Sequence, residues 1–170
     1  MKSSNITPDY TDMCTWATEI QELWKPTKGD LCKHMGYRND VTGLVVDIGG
    51  IKNDKVLIYD GSASQTNKDY NYKNVKEFNK TDCIWLPSQA QLQQILDESL
   101  HTGKVSSNYF VGKTINAIWG TDKSNSYLAN AHSWEELWLM MVMQEKFNKR
   151  WNWIKKIWVG LEDHAKSFEE

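Results

Sequence analysis

Apolar residues recur at helical spacing near the start of the chain. Met13, Trp16, Ala17, Ile20 and Leu23 follow one stripe, with Trp24 beside it. Thr7 can accept a first-turn N–H, Pro8 suits the first helical position, and Asp9 favours the positive end of a helix. Pro26 stops the pattern, because a residue before proline avoids helical angles. The prediction is one helix over 8–24. The period then shortens. Lys28-Gly29-Asp30 reads as a turn into a short strand, Thr42–Ile48 is β-branched and apolar, and Val56–Tyr59 forms another strand after a turn at Asn53-Asp54. Ser62–Asn74 is polar and reads as a loop, and a strand resumes at Cys83–Leu86. Short strands between turns predict a small twisted antiparallel sheet from about Leu31 to Leu86, with a curled SH3-like barrel as one form of it.

At "CIWLPSQAQLQQIL" the period changes again. Ser88 and Gln91 form a capping box, Pro87 and Leu92 are placed for a staple, and Leu92, Ile95, Leu96 and Leu100 make the stripe of a helix. A second box, Ser133 and Glu136, opens "WEELWLMMVMQEKF". Trp134, Leu137, Trp138, Met141 and Val142 share one stripe there, and Leu139, Met140 and Met143 make the segment apolar nearly all round, as in a central buried helix. Lys146, Lys149 and Arg150 suit its negative C-terminal end. The residues after Trp151 read as a further helical segment, and 108–120 as strand or irregular structure. The fold class is therefore α+β: a sheet covered by three or four helices in a single domain over 1–170, helical at 8–24, β-rich at 29–86, helical and mixed at 88–170.

Three sequence blocks resemble a family of small uncharacterised proteins from phages and prophages of Firmicutes. They are Met13-Cys14 with Ala17–Pro26, Ile84–Gln93, and Leu137–Lys146. Ser88 departs from the pattern, where members often carry Arg, and the tail beyond Trp153 runs longer. The resemblance implies origin in a mobile element and a host or phage protein as partner, inhibition of a host defence system being one version. It implies no reaction.

Composition narrows the functions. A net charge of −2 argues against a nucleic-acid binder that uses its whole surface. Three Cys, odd in number and widely spaced, form no disulfide framework and fit a reducing cytoplasm, here that of a bacterial host. No apolar h-region opens the chain, and no run is long enough to span a bilayer. Val111–Thr114 reads "VGKT", but a phosphate-binding loop needs an earlier Gly where this chain has Ser107. Cys32 and His34 are close, yet Cys14, Cys83, His101, His132 and His164 are scattered, so buried thiols and surface imidazoles explain them better than a metal site. No catalytic residue, metal or cofactor is expected. A Cys/His pair meeting only in space stays open.

The candidate binding residues are Lys146, Lys149, Arg150, Trp151, Trp153, Lys155, Lys156 and Trp158, where basic and aromatic side chains interleave. The tryptophans can pack on the core while the cations reach water. They can anchor an acidic protein partner, or stack on bases while the cations hold phosphates. A membrane surface is a fourth option. The acidic tail, Glu162-Asp163 and Glu169-Glu170, could screen this patch.

Overall fold

A computed structural model describes residues 6–35, 41–49, 55–59, 75–100, 112 and 127–162. The fold is α+β. The chain forms two compact units, Thr18–Pro87 and a second made of Met1–Ala17 with Ser88–Glu170.

The first unit contains helix α2 (Thr18–Leu23) and strands β1 (Leu31–His34), β2 (Val41–Gly49), β3 (Lys55–Tyr59), β4 (Val75–Asn79) and β5 (Cys83–Trp85). They form one five-stranded antiparallel sheet in the order β4-β3-β2-β1-β5. Cys32, His34, Val45, Val56, Ile58, Cys83 and Trp85 are buried on one face, as the period of two requires. Around Val46 the β2–β3 register shifts, so Val45 and Ile48 both oppose buried residues of β3 despite the odd spacing between them. Gly43 meets β3 closely: a Cβ there would lie 2.3 Å from the Tyr59 carbonyl oxygen.

The sheet is curled. Only Lys80–Asp82, a single 3-10 turn, joins the two edge strands β4 and β5. Four Cα steps of about 3.8 Å reach at most about 15 Å. The edges of a flat five-stranded sheet would stand about 19 Å apart at about 4.8 Å per strand. The curl brings the His34 ring of β1 onto the Phe78 ring of β4, their centroids 3.9 Å apart. The outer edge of β5 is covered by a side chain. Gln21 accepts from the Trp85 N–H at 2.8 Å and donates to the Trp85 carbonyl at 3.1 Å, imitating a neighbouring strand. The turn read at Lys28-Gly29-Asp30 is present, with Gly29 at φ 94°, and buried Asp30 accepts from the Trp24 indole and from the N–H and hydroxyl of Thr27.

The second unit contains α1 (Pro8–Trp16), α3 (Gln89–Leu100), α4 (Trp134–Phe147) and a two-stranded sheet of β6 (Lys149–Asn152) and β7 (Ile157–Gly160). Thr7 and Ser133 each cap a helix as expected, and Ser88 and Gln91 make the reciprocal bonds of a box. Every residue from Glu136 to Met143 is buried, so α4 is the core helix its composition predicts; it packs against α3, α1 and β6.

Three elements differ from the sequence reading. Strand β4 (Val75–Asn79) precedes the one strand expected there, at Cys83–Leu86. The expected 8–24 helix is interrupted at Ala17, whose φ −86° and ψ 67° lie outside the helical region. The buried stripe of these segments is Tyr10, Met13, Cys14, Ala17, Ile20 and Trp24, whereas Trp16, at 56% exposure, and Leu23 face outward. The segment after Trp151 is not helical: it turns back as β7. The 62–74 loop, the Asn53-Asp54 turn, most of 101–126 and the acidic 163–170 tail lie outside the described residues.

Candidate functional site

The hairpin β6–β7 carries seven of the eight basic and aromatic candidates, and Lys146 precedes it on α4. Alternation along the strands splits them. Trp151 and Trp158 are cross-strand partners and both are buried, their rings 5.2 Å apart. The Trp158 indole donates to the Met13 carbonyl at 2.9 Å, which satisfies a buried N–H and ties β7 to α1. These two rings belong to the core, the first of the options the sequence left open, and are not free to bind a partner, because aromatic burial outweighs any gain from display on a two-stranded ribbon.

The turn has no glycine. Asn152 Oδ1 accepts the N–H groups of Ile154 and Lys155, its carbonyl accepts the Lys156 N–H at 2.7 Å, and Lys156 takes the left-handed conformation at φ 51°. The Lys156 ammonium lies 3.3 Å from Asp9 and 3.0 Å from Asp12 of α1. Those carboxylates, Asp12 foremost, hold its pKa above the usual lysine value. Its charge is therefore compensated within the unit.

Lys146, Lys149, Arg150 and Trp153 are half-buried. Lys146 lies 5.8 Å from the Phe147 ring centre. The Arg150 guanidinium sits 5.1 Å from the Tyr127 ring centre, and the Tyr127 hydroxyl accepts the Trp151 N–H at 2.6 Å. Burial pushes the Tyr127 phenol above its ordinary range. At the tip remain Trp153, Lys155 and Ile154. Ile154 is 95% exposed, on a turn fixed by five-residue hydrogen bonding from Asn152 to Lys156. The charge pattern drew attention to this stretch, but Ile154 itself was not among the candidates.

A second cluster lies at the start of α4. The Glu136 side chain is fully buried; it accepts the Thr7 hydroxyl and, at 2.7 Å, the His132 N–H. The His132 Nδ1 lies 3.5 Å from the same carboxylate, and its exposed ring meets the Trp153 ring edge-on at 5.5 Å. Beside it a cavity of about 270 Å³ is lined by Leu128, Ala131, His132, Ser133, Trp134 and Leu137. Trp134, assigned to the apolar stripe of α4, stands in that wall and is half exposed. The spacing of His132 and Glu136, four apart, was visible in the sequence, but the capping box explained Glu136 without it. No group of three or more His, Cys, Asp or Glu suited to a metal occurs among the described residues. Among them no helix is long and apolar enough to cross a membrane. Compared with models of protein families, with curated proteins and with solved structures, the chain matches none.

Proposed function

We propose that the protein acts by non-catalytic binding of another protein, with the β6–β7 tip as its contact. The observation that carries this is Ile154, an aliphatic side chain 95% exposed on a turn held by Asn152. A pre-ordered apolar tip loses little entropy on docking, and Lys155 beside it favours a socket rimmed by carboxylates. Following the resemblance, the partner is a host or phage protein in a bacterial cytoplasm, and inhibition of a host defence system is one such role. We assign the curled sheet and its single 3-10 turn to the SH3-like arrangement on the same footing.

The nucleic-acid reading is weaker, because Lys156 is neutralised by Asp9 and Asp12 and two of the three tryptophans have no free face for a base. The His132–Glu136 pair beside a cavity favours acid–base chemistry as a second reading, since a buried carboxylate orients an exposed imidazole there.

The test is affinity capture from the bacterial host with wild type, Ile154→Asp and Lys155→Glu. One protein should be retained by wild type at high salt and lost by Ile154→Asp, whose thermal midpoint stays within about 2 °C of wild type, because an exposed residue contributes little to stability. Equal capture by Ile154→Asp would refute the tip. Recovery of nucleic acid that falls steeply with salt would move the assignment to the alternative.

A further inference from the structure

The sequence leaves its cysteines scattered, and the pairing of β1 with β5 brings two of them together. In the β1–β5 ladder Cys32 pairs with Trp85 and His34 with Cys83, so Cys32 and Cys83 are diagonal neighbours on the same buried face. The Cys32 thiol donates to the Gly43 carbonyl at 3.8 Å and the Cys83 thiol to the Asn79 carbonyl at 3.4 Å, and both cysteines are free. We propose that Cys32 and Cys83 are a redox-active dithiol that closes to a disulfide on reaction with a low-molecular-weight disulfide such as glutathione disulfide.

The two thiols are not equivalent. The neighbouring Cys32 thiol holds Cys83 below the ordinary thiol range, and the Cys83 neighbour, with burial, pushes Cys32 up. One thiol that stabilises the thiolate of its neighbour is the arrangement dithiol chemistry uses. Cys83 is also the more accessible of the two, at 5% against 0% for Cys32, and it begins a three-residue edge strand. Short edge elements open locally at little cost. The Cys83 thiolate attacks one sulfur of the small disulfide, forms a mixed disulfide and releases one small thiolate. Cys32 then loses its proton and attacks the Cys83 sulfur, which releases the second. The protein gives up two electrons and two protons, and the small disulfide becomes two thiols. The new bond would fasten the edge strand β5 to β1. Cys14, buried in the other unit with its pKa raised by burial, is an internal control.

The test uses the full chain, folded, in glutathione buffers of increasing oxidised fraction, followed by acid quench, denaturation, alkylation and peptide mapping. The expected product carries one alkyl group, on Cys14, and a Cys32–Cys83 linked peptide. In Cys32→Ser, closure is impossible and a glutathione adduct accumulates on Cys83. Alkylation of all three cysteines at every ratio would overturn the proposal, as would a bond to Cys14 or a persistent adduct in wild type without closure.

Discussion

Glu136→Ala is the sharpest test of how the second unit is held together. The wild-type carboxylate is fully buried and accepts from the Thr7 hydroxyl and the His132 N–H, so it joins the caps of α1 and α4. Alanine leaves both donors without that acceptor. Hydrogen bonds to a charged group contribute about 1.5–3 kcal/mol each, and loss of the buried charge returns part of that as relieved desolvation. A net loss of about 3 kcal/mol follows. For a chain of this size about 1 kcal/mol shifts the midpoint by about 3 °C, so the expected fall is about 9 °C in a calorimetric scan. Glu136→Gln is the control. Its amide oxygen can still accept from His132 and its NH₂ can donate to the Thr7 oxygen, so it should cost about 1 kcal/mol. A cycle with Thr7→Val should return a coupling of about 1–2 kcal/mol. A Glu136→Ala midpoint within about 2 °C of wild type, or no coupling to Thr7, would refute the reasoning.

Three further outcomes are expected. Gly43→Ala places a Cβ 2.3 Å from the Tyr59 carbonyl oxygen and 2.6 Å from Ile58, so urea titration should show a loss of about 3 kcal/mol or an unfolded first unit. Gln21→Ala removes both bonds to Trp85, so hydrogen exchange at the Trp85 amide should accelerate, while the Leu86 amide, bonded to the Leu31 carbonyl, keeps its protection. Lys156 has its pKa raised by Asp12 and Asp9, so its contribution is complete below the unfolded lysine value and is lost as pH rises through the folded one. The midpoints of wild type and Lys156→Met should therefore differ at neutral pH and converge at strongly alkaline pH; a constant difference would count against the ion pairs.

What the chain determines by itself is what short-range physics controls. The caps at Thr7, Ser88 and Ser133 act on N–H groups three residues on, so they are legible from residue type and spacing. The buried α4 is legible because a helix apolar nearly all round its middle has nowhere else to go. Strands β2 and β3 follow from β-branched runs between turns, and the α+β class follows from the whole. The tertiary structure alone decided the hairpin. Its turn contains no glycine, and its left-handed residue is a lysine held by carboxylates 144 and 147 positions away. Local sequence carries no record of such a partner, and basic residues at helical spacing look like a helix until those carboxylates arrive. The same holds for Trp151 and Trp158, which become core only when β6 and β7 pair. It holds for Cys32 and Cys83, which meet only because β5 pairs with the distant strand β1. Bonds within one turn are written in neighbouring residues, whereas contacts between distant strands exist only after the backbone has closed.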